Sequence, residues 1–96
     1  MIAMAMKAGR IAGGEFSAER AVRSGEAKLV ILSEDASQNT VRKFSGMAAY
    51  RNIPVCRLLT KQELGRTVGR GERSCLAVTD EGFAKTILAR AAEEEA

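Results

Sequence analysis

Ala27-Lys28-Leu29-Val30-Ile31-Leu32 ends in four consecutive apolar residues, bounded by Gly25 before it and by the polar run Ser33-Glu34-Asp35-Ala36-Ser37 after it. A short unbroken apolar run between turn residues reads as a strand buried on both faces, in the centre of a sheet covered by helices. Two further strands follow at intervals that leave room for helices, Val55-Cys56-Arg57-Leu58-Leu59 and Cys75-Leu76-Ala77-Val78-Thr79. Between the first two, Gln38 to Arg51 carries Val41, Phe44, Met47, Ala48 and Tyr50 at helical spacing, and Asn52-Ile53-Pro54 ends that helix because a residue before proline avoids the helical region. Thr60-Lys61-Gln62-Glu63 has the form of a capping box opening a short helix through Val68. Asp80 caps a last helix with Phe83, Ala84, Ile87, Leu88 and Ala91 on one face. Before the first strand, Met4 to Gly9 has helical character, Arg10-Ile11-Ala12 is extended, Gly13-Gly14 is a corner, and Ser17 to Ser24 is a helix closed by Gly25. Strands alternating with helices imply an α/β fold, a three-layer α-β-α sandwich with a mostly parallel or mixed central sheet.

The chain of 96 residues, 46% apolar and 28% charged, suits one folded domain spanning residues 1–96. It has no His, which excludes Ser-His-Asp and Cys-His catalysis and His-ligated zinc. Its 2 Cys are too few for a Cys-only zinc site or a disulfide scaffold, and both are expected as buried, reduced thiols in strands. No cofactor, metal or catalytic residue is expected. The apolar start, Met1 to Met6, is followed rather than preceded by Lys7 and Arg10, the reverse of a secretory signal. No apolar run approaches the roughly 18 residues that a membrane span needs, so a cytoplasmic protein without a membrane partner is expected.

Charge is unevenly placed. Residues 1–73 hold 13 Lys and Arg against 7 Asp and Glu, and residues 74–96 hold 2 against 5. A basic body with an acidic end is the footprint of a polyanion binder. The Gly13-Gly14 corner leads into a helix whose first N–H groups and dipole suit a phosphate, with Arg20 one turn in. A second glycine cluster, Gly65-Arg66-Thr67-Val68-Gly69-Arg70-Gly71, lacks the Gly-Lys-Ser/Thr ending of a phosphate loop, and is expected as a corner.

The run Gly14-Glu15-Phe16-Ser17-Ala18-Glu19-Arg20-Ala21-Val22-Arg23-Ser24-Gly25-Glu26-Ala27-Lys28-Leu29-Val30 resembles the core signature of the kink-turn-binding ribosomal protein superfamily of the L-seven-Ae type. So, in one register, do Glu34-Asp35-Ala36, Asn52-Ile53-Pro54-Val55, Thr60-Lys61-Gln62-Glu63-Leu64-Gly65 and Thr79-Asp80-Glu81-Gly82. Lys7-Ala8-Gly9-Arg10 and Ser33-Glu34-Asp35-Ala36-Ser37-Gln38-Asn39-Thr40 look most like its small bacterial branch, the YlxQ-like proteins.

This resemblance implies an α-β-α sandwich binding RNA kink-turns, sharp bends built on tandem sheared G·A pairs, in a ribosome- or translation-associated setting. It places the helix after the glycine corner in the widened groove at the bend. The family pattern there is Gly-x-Asn-Glu-x-x-Lys. Gly14 matches its glycine and Arg20 keeps the charge of its lysine, whereas Phe16 and Ser17 stand where Asn and Glu read guanine edges. Phe16 then has two possible places, under the RNA or in the core. Lys61 matches a lysine facing the RNA backbone, and Gly69 to Arg73 corresponds to a second RNA-contacting loop, which in the family is usually more apolar and caps extruded nucleotides; here it carries Arg70 and Arg73, which implies phosphate clamping more than apolar capping. The expected RNA-binding set is Gly13, Gly14, Glu15, Phe16, Ser17, Arg20, Ser37, Lys61, Arg70 and Arg73. The partner is structured RNA, a kink-turn or ribosomal RNA. The alternative is a protein-interaction adaptor docking a ribosomal or other protein. An enzyme has little behind it, since Glu34-Asp35 reads as loop and cap chemistry.

Overall fold

Strand β2, Leu29–Leu32, is buried at every residue, and both of its edges are paired. A computed structural model describes residues 2–69 and 71–95, with side chains described as far as residue 92. Along the chain the elements are α1 (Ile2–Lys7), β1 (Ile11–Gly13), α2 (Glu15–Arg23), β2, α3 (Gln38–Tyr50), β3 (Val55–Arg57), α4 (Lys61–Thr67), β4 (Cys75–Val78) and α5 (Glu81–Glu95). The sheet order is β1-β4-β2-β3, with β4 antiparallel to β1 and β2, and β3 parallel to β2.

Side chains alternate across a strand, so each central strand supplies both faces of the sheet. Val30 and Leu32 of β2, with Cys75 and Ala77 of β4, pack with Ala18, Ala21 and Val22 of α2 and Phe44 and Ala48 of α3. Leu29, Ile31, Leu76 and Val78 pack on the other face with Ile2 of α1, Leu64 of α4, and Ala84 and Ile87 of α5. These are the three layers expected, and the sheet is mixed.

The caps follow their residue types. The Thr60 hydroxyl accepts from the Glu63 N–H at 3.2 Å while the Glu63 carboxylate accepts from the Thr60 N–H at 3.0 Å. Asp80 accepts from the Phe83 N–H at 2.9 Å. Ser37 caps α3 through the Thr40 N–H.

Several boundaries differ from expectation. Helix α2 begins at Glu15 rather than Ser17, because Gly14 at φ 88° takes the N-cap position and turns the chain straight into the helix. Strand β3 stops at Arg57, two residues early, where the chain bends through Leu59 at φ 62° to reach the Thr60 cap. Gly65 is not part of a corner but a buried position inside α4. Cys75 is buried as expected, while Cys56 is half-buried because β3 is an edge strand.

Strand direction decides what lies at each end of the sheet. Because β4 runs against its neighbours, its first residue, Cys75, stands beside the last residues of β1 and β2, with Gly13 opposite Leu76 and Leu32 opposite Cys75. Leu32 also stands beside Arg57, the last residue of β3. Four segments distant in sequence, starting at residues 14, 33 and 58 and ending at 74, therefore converge on one end.

Candidate nucleic-acid interface

At that end the loops hold one another. The Gly14 N–H donates to the Cys75 carbonyl at 3.1 Å, Ser33 N–H to Ser74 at 2.9 Å, and Glu34 N–H to Leu59 at 2.7 Å. The Lys61 backbone is gripped from both sides: its N–H donates to Asp35 Oδ1 at 2.9 Å, and its carbonyl accepts from the Arg73 N–H at 3.0 Å. Burial pushes the Asp35 carboxyl up, but hydrogen bonds led by that Lys61 N–H outweigh it and hold the group below its ordinary value. Arg57 is committed to the scaffold, its guanidinium donating to the Ser33 carbonyl at 3.2 Å and the Glu34 carbonyl at 2.7 Å.

Arg73 reaches across to the start of α2. A Cβ built on Gly14 would meet Arg73 Cδ and Nε at 3.6 Å, so the guanidinium lies against the glycine corner. It is oriented there by its own loop, with Nη1 donating to the Glu72 carbonyl at 2.9 Å and the Gly71 carbonyl at 3.3 Å. Gly65 makes that loop position possible. A Cβ there would run into the Gly71 carbonyl, so only glycine lets the loop close over α4.

The first turn of α2 presents its residues in different directions. The Glu15 carboxylate turns toward α3 and accepts from the Thr40 hydroxyl at 3.1 Å; that hydroxyl in turn accepts from Ser37 Oγ at 3.0 Å. Ser17 lies where two hollows meet. One, about 230 Å³, it shares with Arg20 and Ser24; the other, about 380 Å³, it shares with Gly13 and Arg73. Phe16 is 76% exposed, which removes its place in the core. Gly14 supplies no side chain to cap α2, so the first N–H groups of the helix have no side-chain cap.

The structure thus brings Gly13, Gly14, Glu15, Ser17, Ser37, Lys61 and Arg73 to one end of the sheet, with Phe16 exposed on the first turn of α2 and Arg20 farther along that helix, in the hollow it shares with Ser17. Arg70 lies outside the described residues. Thr40, 8% exposed, is a member that sequence reading missed; the signal was its place three residues after the capping Ser37. Lys43, one of the cations of the basic body, is withdrawn from the rim. It bonds Glu19 at 2.6 Å, and Arg23 bonds the same carboxylate at 2.9 Å. Among the described residues no group of Cys, Asp and Glu could hold a metal, and no helix is long and apolar enough to cross a membrane.

Comparison with known proteins gives this arrangement its relatives. The RNA-binding protein YlxQ of Bacillus subtilis (strain 168) is 35% identical over 88 residues, covering 92% of this chain and 88% of its own. The large ribosomal subunit protein eL30 of Aeropyrum pernix is 34% identical over 90 residues, covering 92% and 89%. Among solved structures, a protein with unknown function from Bacillus halodurans C superposes with a TM-score of 0.87 at 35% identity, covering 92% of this chain and 89% of that one. The Giardia lamblia 15.5kD RNA binding protein shares the fold, with a TM-score of 0.79 at 19% identity over 97% of this chain and 79% of that one. Residues 1–88 match the shared pattern of a single family throughout, and the chain belongs to the ribosomal protein L7Ae/L30e/S12e/Gadd45 family.

Proposed function

We propose that this protein binds structured RNA of the kink-turn type in the cytoplasm, in association with ribosomes or translation, and that it is not an enzyme. One observation carries the reading: Arg73 lies against the glycine corner that opens α2, with Ser17 and Arg20 in the adjoining hollows. Backbone N–H groups at a helix start and forked guanidinium donors both suit phosphate oxygens. Gly13, Gly14, Ser17, Arg20, Lys61, Arg70 and Arg73 are the proposed phosphate-facing set. Glu15 and Ser37 border it and hold α2 against α3. Relatives named as RNA-binding and ribosomal proteins support the same reading.

Phosphates supply most of the affinity in this proposal, and the shape of the bent duplex most of the selectivity. Neutralising about three or four phosphates gives a slope of log affinity against log salt of roughly −2 to −4. Titrations of a generic kink-turn and a straight duplex across salt test both parts. Tighter binding to the bent RNA with that slope is expected; equal affinities, or a flat salt dependence, would refute the reading. The exposed Phe16 favours one other role, docking of a ribosomal or other protein on the same edge. A folded protein that shifts neither RNA would turn the balance to that role.

A further inference from the structure

Three phenylalanines are present, and the core uses two of them. Phe44 is fully buried under the α2 side of the sheet, and Phe83 packs at the margin of the opposite core. Phe16 belongs to neither. Successive helical residues step about 100° around the axis, so Phe16, two residues before the fully buried Ala18, stands on the far side of α2 from the sheet. Its neighbours leave it alone there. Glu15 is drawn aside to Thr40, and Ser17 opens on the hollows beside β1. Two cations stand near this turn: Arg20 is one turn along the same face of α2, and Arg73 lies against Gly14, two residues before the ring.

We propose that Phe16 is a stacking platform for an unpaired RNA base, and that this stacking selects which RNAs the edge accepts. The inference rests on the RNA-binding reading above and adds the residue that meets an unpaired base: an exposed aromatic face on the first turn of α2, where the family pattern has Asn. An aromatic face flanked by guanidinium groups is how single-stranded segments are commonly held, the cations tracking phosphate while the ring takes a base. Beside the Ser17 hydroxyl, the first turn of α2 has little else with which to read a base edge, since the Glu15 carboxylate is already accepting from Thr40. Stacking carries no donor–acceptor code, so the edge tolerates any base identity and requires that the base be unpaired. It ranks purines above pyrimidines through their larger faces.

The test uses the full chain with three RNAs: a kink-turn carrying 2-aminopurine as an unpaired base beside the bend, a straight duplex with the same unpaired 2-aminopurine, and a fully paired duplex. Stacking on the wild-type ring is expected to change 2-aminopurine fluorescence. Phe16→Ala is expected to abolish that change and weaken binding to the first RNA by about tenfold or more. Phe16→Trp restores both. The salt slope stays the same in Phe16→Ala, whereas loss of a phosphate contact reduces it by about one unit. Melting temperature is unchanged, since the ring fills no core. Binding by Phe16→Ala within about twofold of wild type, with the fluorescence change intact, would overturn the stacking proposal and leave RNA binding standing. A wild type that holds both unpaired RNAs alike through Phe16 would overturn kink-turn selectivity and keep the platform. No binding to any of the three overturns both.

Discussion

One methyl group at Gly65 separates a closed loop from an open one. The Gly71 carbonyl occupies the space a Gly65 side chain would need, so Gly65→Ala must push residues 69–73 away from α4. Crowding of this kind typically costs about 1–3 kcal/mol. Because the same loop aims Arg73 at Gly14, the variant is expected to melt earlier and also to bind RNA more weakly, which calorimetry and a gel shift would read separately. Arg20→Ala makes the complementary case. Arg20 is exposed and makes no structural bond among the described residues, so its loss should leave melting unchanged and cost about 1.5–3 kcal/mol of RNA affinity. In the sequence these two residues were legible to different degrees. Arg20 could be assigned to the edge from its place after a glycine corner. Gly65 looked like part of a turn, because its reason for being glycine is a backbone segment six residues further on that comes back over it. Phe16 was ambiguous for a related cause: one apolar residue at a helix start has no periodicity from which to read its direction.

Helices α2 and α3 are fastened to each other by a link whose strength depends on pH. Glu19 on α2 bonds Lys43 on α3, and Arg23 joins from the next turn of α2. The hydrogen bond from Lys43 holds the Glu19 carboxyl below its ordinary 4.5, against the opposing effect of burial and with help from Arg23; the same bond raises Lys43 above its ordinary 10.5. A lowered carboxyl contributes stability above its unfolded value and loses it as pH falls through the folded one. A raised ammonium contributes below its unfolded value and loses it as pH rises through the folded one. The link is therefore at full strength between pH 4.5 and 10.5. Thermal melts of wild type and Glu19→Gln should differ most inside that window and converge at acid pH; a constant offset would show that the pair does not act as described. A second element-scale case is the α4 cap. Thr60→Ala removes the acceptor for the Glu63 N–H and should cost about 1 kcal/mol. That cap was readable letter by letter because a capping box is local. The start of α2 was misplaced by two residues because its N-cap is a glycine in a left-handed turn, which leaves no side-chain signature.

At the scale of the whole molecule, the rim exists because one strand runs against the others. Three apolar segments alternating with helices implied three layers from the sequence, but a continuous apolar run carries no direction. It could not say that Cys75 would stand beside Leu32, or that Ser74 and Gly14 would be bonded to neighbouring strands. That reversal brings Gly14, Asp35, Lys61 and Arg73 together, and it sends a different set to the opposite end. There a groove of about 740 Å³ is lined by Lys28, Tyr50, Arg51, Pro54, Glu81 and Lys85, with Tyr50 85% exposed. Net charge alone does not distinguish the two ends, since Lys28, Arg51 and Lys85 are as cationic as the proposed rim. What distinguishes them is the open helix start and the oriented guanidinium. Amide chemical-shift mapping with a kink-turn RNA should therefore be polar. Residues 13–20, 35–40, 61 and 73 are expected to shift, while 50–54 and 81–88 stay within the noise. The substitutions Lys28→Ala and Lys85→Ala are then expected to leave affinity within about twofold at physiological salt, because charges more than a Debye length of about 8 Å away are largely screened. Shifts of equal size at both ends would mean that the RNA is held by overall charge, and that strand reversal has no part in recognition.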